Sequence, residues 1–111
     1  METVDEAAIE SAPADVRADL ISIRRYVQPS MRQLDELFRQ ESQIRSMHGS
    51  VDITLFFAPN GQVEAAEIVP RPASSFTDAF LAKAVEIMMQ WRVPTQQQLP
   101  PYRFPYRFIR N

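Results

Sequence analysis

The first part of the chain carries apolar residues at the three- and four-residue spacing of a helix face. Two consecutive sets follow this spacing, namely Val16, Leu20, Ile23 and Val27, and then Leu34, Leu37, Phe38 and Ile44. Pro29 lies between the sets, so the pattern predicts a kinked or broken helix there, with Ser30 and Gln33 as the capping pair of the second part. Gly49 is expected to stop this second part.

The next stretch changes from helical to alternating spacing. The sequence VDITLFF places apolar residues at every second position, as a half-buried antiparallel strand requires: Val51, Ile53, Leu55 and Phe57. The following APNG at 58–61 is a strong turn sequence, and QVEAAEIV after it predicts the second strand of a hairpin. Val63 and Ala65 share one face of this strand while Ile68 is out of phase, which predicts a bulge near Ala66.

A further helical pattern and a final alternating segment follow the hairpin. Ser75 with Asp78 resembles a helix N-cap and its partner, and Pro94 is expected to end the helix. Its broad apolar stripe comprises Phe80, Leu81, Ala84, Val85, Met88 and Trp91. The last segment alternates Tyr102, Phe104, Tyr106 and Phe108 with Arg103, Pro105, Arg107 and Ile109. This alternation predicts a third antiparallel strand, in which Pro105 is confined to an edge or to a side facing solvent because it cannot donate to a ladder.

These elements predict an α+β domain in the order α(α)ββαβ, with a three-stranded antiparallel sheet packed on helices. The length of 111 residues and the hydrophobic fraction of 45% suit one such domain. Residues 1–13 are acidic and lack an apolar repeat, so we expect a disordered tail or linker there, ahead of a domain spanning 14–111. The irregular acidic start also predicts that the chain belongs to a longer protein, with a membrane anchor outside this segment.

Side chains suited to catalysis or metal binding are scarce. The chain has no cysteine and one histidine, His48, which excludes disulfides and thiolate metal sites. The carboxylates of Asp35 and Glu36, and those of Glu64 and Glu67, fall on polar faces, where we expect them to be solvated. Two glycines in all leave no phosphate-binding loop. The sequence therefore predicts a protein that is not an enzyme and binds no cofactor or metal.

Over about residues 49–110 the chain resembles the TonB C-terminal domain superfamily. The shared pattern is glycine-x-valine before a strand, Asn-Gly-x-Val at a turn, a helix rich in phenylalanine or alanine that ends in Trp-Arg, and a final aromatic strand. It corresponds here to Gly49 and Val51, Asn60, Gly61 and Val63, Phe80 and Ala84, Trp91 and Arg92, and Phe104 to Phe108. The ending looks closest to a branch found in periplasmic parts of bacterial gliding-motility machinery, although Leu37-Phe38 stands where that branch has a Cys-Tyr pair.

The resemblance implies a non-catalytic adaptor in the periplasm. Such domains hang from an inner-membrane anchor through a linker, and the parent chain links them to inner-membrane motor proteins. They pair a sheet edge with an extended segment of an outer-membrane or periplasmic partner, so that proton-motive force is transmitted as pull. On this reading the partner-binding residues are Tyr102, Arg103, Phe104, Tyr106, Arg107, Phe108 and Ile109. The arginines of this strand suit an acidic or polar peptide.

Two other functions stay open at this point. Pairing of the same strand edges between copies would make the domain a self-association module, such as a homodimer. The alternation of arginines and aromatic rings also suits the stacking of single-stranded nucleic-acid bases. The net charge of -2 and the lack of a basic stripe elsewhere in the chain count against nucleic acid.

Overall fold

The computed structural model describes residues 14–44, 46–95 and 97–108. Its elements are helix α1 (Ala14–Ile44), strand β1 (Gly49–Phe57), strand β2 (Val63–Pro70), helix α2 (Asp78–Met88) and strand β3 (Tyr102–Phe108). The three strands form one antiparallel sheet in the order β2-β1-β3. The predicted α+β class is therefore confirmed, with one helix rather than two before the hairpin. The predicted tail at 1–13 lies outside the described residues.

Of the kink or break predicted at Pro29, the break is wrong, because helix α1 continues through the proline without a restart. The buried stripe runs unbroken past the proline at four- and three-residue steps, through Ile23, Val27, Met31, Leu34 and Phe38. Pro29 itself is exposed, and the hydroxyl of Ser30 donates to the Tyr26 carbonyl at 2.8 Å instead of capping a new helix. Packing of one continuous apolar face thus outweighs the local cost of a proline.

The end of α1 also differs from the sequence prediction. The helix ends at Ile44, whose side chain is 85% exposed and so does not share the buried face. Gly49 opens β1 rather than stopping the helix. It adopts a φ of +124°, and a Cβ there would lie 2.2 Å from the Ser74 hydroxyl oxygen. This glycine is therefore needed for close approach to the loop before α2.

The hairpin forms as predicted, but its bulge lies earlier in β2. The Gly61 amide donates to the Ala58 carbonyl at 2.9 Å, and Gly61 has a φ of +86°, as the turn requires. The register shifts between Phe56 and Phe57, which leaves Glu64 as the extra residue. Ala65 consequently turns outward, away from Val63, while Ala66 and Ile68 lie opposite Leu55 and Ile53 on the inner face.

Helix α2 begins and ends at residues other than those predicted. Its N-cap is Thr77 rather than Ser75, because the Phe80 amide donates to the Thr77 hydroxyl oxygen at 3.1 Å. The helix ends at Met88, well before Pro94. Trp91 follows in the next segment, where it is buried and donates from Nε1 to the Gln33 Oε1 atom at 3.0 Å. Trp91 is thus a core residue, as predicted.

One hydrophobic core joins both helices to the inner face of the sheet. Strands β1 and β3 each alternate buried with more exposed residues, which gives the sheet a buried inner face and a solvated outer face. Aromatic rings from α1, α2, β3 and the loop before α2 meet at one end of the core. Among them, Phe38 and Phe108 stack with ring centroids 5.0 Å apart. This packing fixes β3 against α1.

Candidate strand-pairing edge

Strand β3 lies at one side of the sheet. It pairs with β1 from Gly49 opposite Phe108 to Leu55 opposite Tyr102. No described residue pairs with the side of β3 that faces away from β1, which we call the open edge. Strand β3 therefore has the position that strand addition requires.

The direction of the β3 backbone groups follows from one hydrogen bond at the other side of β1. The Arg71 amide donates to the Ser50 carbonyl at 2.9 Å, so the backbone groups of Ser50 face β2. Facing direction alternates along an antiparallel strand, so Val51 and Ile53 face β3 and pair there with Tyr106 and Phe104. The intervening residues of β3 must then direct their backbone groups to the open edge, namely Arg103, Pro105 and Arg107.

The open edge therefore has a defined set of hydrogen-bonding groups. It offers amides from Arg103 and Arg107 and carbonyls from these two residues and Pro105. Pro105 lacks an amide hydrogen, so the donor in the middle of the edge is missing. The proline occupies an edge, as the sequence predicted, and it costs the β1 ladder no hydrogen bond.

The side chains of β3 divide between the core and the outer face. The four aromatic residues of the predicted site are buried, with exposed fractions of 1% for Tyr102, 0% for Phe104, 1% for Tyr106 and 4% for Phe108. Arg103 and Arg107 are exposed on the outer face. A partner lying at the open edge could reach the backbone and these two arginine side chains, but not the aromatic rings. Ile109 lies outside the described residues.

The outer face beside β3 carries excess positive charge. Asp52 of β1 lies opposite Pro105 and is held by Arg71, which donates to its carboxylate at 2.9 and 3.3 Å. This hydrogen bonding lowers the pKa of Asp52, and the nearby charge of Arg103 adds to the effect. The residues opposite Arg103 and Arg107 are the neutral Thr54 and Ser50. Neither arginine of β3 therefore has an acidic residue directly opposite it on β1.

The buried tyrosines of β3 differ in how their hydroxyls are satisfied. Tyr106 donates to the Asp35 carboxylate of α1, and its pKa is raised by burial, by this hydrogen bond and by the Asp35 charge. The Tyr102 hydroxyl has no partner among the described residues, and burial raises its pKa to about 12, against the opposing charge of Arg24. The expectation that Asp35 is simply solvated is therefore wrong. Its position next to Leu34, at the border of the apolar stripe, was the available signal.

The outer edge of β2 is covered at its beginning. The Val63 amide donates to the Trp91 carbonyl and the Val93 amide to the Gly61 carbonyl, both at 2.9 Å. By the same alternation, Ala66 and Ile68 direct their backbone groups outward beyond this covered part. The residues of β2 itself include no arginine or lysine, whereas the open edge of β3 carries two arginines.

An open cleft of about 540 Å³ lies at the beginning of β3. Phe56, Pro100 and Pro101 contribute to its apolar walls, and Asp19 and Glu64 supply carboxylates. The Asp19 carboxylate accepts a hydrogen bond from the Gln97 side chain at 3.0 Å. Sequence patterns gave no sign of this cleft, because its residues come from α1, the hairpin and the loop before β3.

Within the described ranges, no three His, Cys, Asp or Glu side chains form a group that could hold a metal ion. His48 does not cap α1, because it bridges to Ser75 four residues after the helix ends, and its Nε2 atom lies 3.2 Å from the Ala73 carbonyl oxygen. Neither described helix is long and apolar enough to cross a membrane.

The chain matches no protein-family model, no curated protein and no solved structure. Its resemblance to TonB C-terminal domains therefore stays a prediction from the sequence pattern. The geometry of the open edge stands independently of that resemblance.

Proposed function

We propose that this domain is a non-catalytic adaptor that binds an extended segment of a partner protein by strand pairing at the open edge of β3. The observation that carries the proposal is the direction of the Arg103 and Arg107 backbone groups, which face away from β1 and meet no described partner. An added strand would satisfy these groups, and strand addition is a general mode of peptide recognition.

The rigidity of β3 supports the same proposal. Its aromatic side chains are held in the core, and Tyr106 is tied to α1 through Asp35. A strand fixed in this way presents its open edge without further ordering, so little conformational entropy is lost when a segment binds. Such an anchored edge also suits a domain that transmits force, since pull on the bound segment acts on the whole sheet.

The cellular setting follows from the sequence resemblance. We place the domain in the periplasm, attached to the inner membrane by a segment outside this chain and connected through it to inner-membrane motor proteins. The partner segment then belongs to an outer-membrane or periplasmic protein of a TonB-like energy-transducing or gliding-motility complex. Neither a cofactor nor nucleic acid has a part in this function.

Photo-crosslinking in living cells tests the proposal. A photo-reactive residue at position 107, beside the open edge, should trap one envelope protein through an extended segment, which mass spectrometry identifies. The matched control places the same residue at Glu86, which is exposed on α2. Equal trapping from both positions, or trapping of nothing but the domain itself from position 107, would contradict the proposal.

A further inference from the structure

We infer that the open edge of β3 selects a segment with two acidic side chains four residues apart. The inference rests on the proposed function and specifies the chemistry of its partner. It comes from the spacing of Arg103 and Arg107, the charge around them and the position of Pro105 between them.

The spacing follows from strand geometry. Arg103 and Arg107 are four residues apart on one strand, so their side chains emerge on the same outer face of the sheet. Directly opposed residues of two paired strands also place their side chains on the same face. The partner residues opposite the two arginines are therefore four positions apart and both on the outer face, whichever direction the segment runs. A spacing of three would send the two partner side chains to opposite faces.

The charge requirement follows from the neighbours that the arginines already have. On β1, the residues directly opposite Arg103 and Arg107 are Thr54 and Ser50, which are neutral and cannot balance the arginine charges. Asp52 is the nearest acidic residue of β1, and Arg71 already binds both of its oxygens. The remaining cross-strand positions for each arginine are those of an added segment, and opposite charges there stabilise pairing.

The same charges act against pairing of β3 with its own copy. In a symmetric antiparallel dimer centred on Pro105, Arg103 of one copy lies opposite Arg107 of the other, and the reverse. Both opposed pairs are then of like charge on one face, which destabilises the pairing. Pro105 further removes the central donor from each strand. The edge is therefore built to favour an acidic segment over a second copy of this chain.

Two synthetic peptides of identical composition test the inference. Each is a nine-residue peptide of threonine and serine with two glutamates, placed at its third and seventh positions in one and at its third and sixth positions in the other. Titration into the isotope-labelled protein at millimolar concentrations should shift the Arg103 and Arg107 amide resonances. The first peptide should bind roughly fivefold more tightly than the second.

A double variant, Arg103→Gln with Arg107→Gln, serves as the protein control. The variant keeps both backbone donors, so it should still bind the peptides. Because it lacks the two charges, it should bind both peptides equally, and more weakly than the natural protein binds the first. Equal binding of both peptides by the natural protein, with shifts at the two amides, would overturn the acidic spacing while leaving strand addition intact. Binding of neither peptide would also overturn the inference, whereas the proposed function is judged separately by the crosslink from position 107.

Discussion

The hydroxyl of Tyr106 donates a hydrogen bond to the carboxylate of Asp35, which joins β3 to α1. The bond spans 71 positions in sequence and anchors the strand that we propose as the binding edge. Tyr102, on the same face of β3, is just as deeply buried but has no hydrogen-bond partner among the described residues. The two tyrosines thus form a natural pair for comparison.

We expect Tyr106→Phe to lower the free energy of unfolding by about 1–3 kcal/mol, because it leaves a half-buried carboxylate without its donor. Tyr102→Phe removes an unpaired buried hydroxyl, so it should be neutral or stabilising by up to about 1 kcal/mol. Urea denaturation of the two variants beside the natural protein provides the measurement. Equal losses in both variants would show that the Asp35 contact contributes nothing particular to stability.

Alkaline pH should destabilise the fold through the same two residues. The pKa of each is raised in the folded state, that of Tyr102 to about 12, so above a pH of about 10 the unfolded chain binds fewer protons than the folded one. The contribution of the two tyrosines to the free energy of unfolding is then complete below about pH 10. It falls as the pH rises further, by about 1.4 kcal/mol per pH unit for each tyrosine. Urea denaturation between pH 8 and pH 11 measures this slope.

The Tyr102→Phe variant controls the alkaline prediction. It retains Tyr106 alone as a buried titrating phenol of β3, so its slope should be about half that of the natural protein. A free energy of unfolding that stays constant to pH 11 would contradict the raised pKa values.

Replacement of Pro29 tests the continuity of α1. Pro29→Ala restores a backbone donor within an unbroken helix at an exposed position, so it should raise the free energy of unfolding by at least about 1 kcal/mol. Arg32→Ala, also exposed on α1, should change it by less than about 0.5 kcal/mol. A loss of stability in Pro29→Ala would instead indicate that the fold depends on the proline.

Alternating and helical patterns in the sequence predicted the sheet, both main helical regions and the buried faces of β1 and β3. They failed where long-range packing overrides a local signal. Pro29 reads locally as a helix break, yet the buried stripe on either side belongs to one helix that covers the whole sheet. Ser75 is as good a cap as Thr77, and the choice between them depends on the bridge that Ser75 forms with His48.

The position of the candidate site was predictable from the sequence, but which groups of β3 a partner can reach was not. Strict alternation placed the aromatic residues of β3 on one face and the arginines on the other. Which backbone groups of β3 face outward depends on the pairing of β3 with β1 and of β1 with β2. The pairs between β1 and β3 join residues 47 to 59 positions apart, from Leu55 with Tyr102 to Gly49 with Phe108, and local patterns do not encode contacts at that distance. The hydrogen bond between Tyr106 and Asp35 was not predicted for the same reason, since it joins residues 71 positions apart.

Proline at position 107 should separate folding from binding. The Arg107 amide faces the open edge, so Arg107→Pro removes a donor to the partner and none to β1. We expect the free energy of unfolding to change by less than about 1 kcal/mol, while binding of the partner segment falls at least roughly tenfold. Circular dichroism melts and a binding titration measure the two effects. Phe108→Pro is the control. The Phe108 amide faces β1, so the loss of this donor, together with the buried ring, should destabilise the sheet itself.

Amide hydrogen exchange at Arg103 and Arg107 tests the central claim most directly. The measurement compares two samples: the free domain, and the domain bound to the partner segment that crosslinking from position 107 identifies. Both amides should exchange quickly in the free protein and at least roughly tenfold more slowly in the complex, while those of Phe104 and Tyr106 stay protected throughout. A saturated complex in which the Arg103 and Arg107 amides exchange as fast as before would show that the segment does not add to β3.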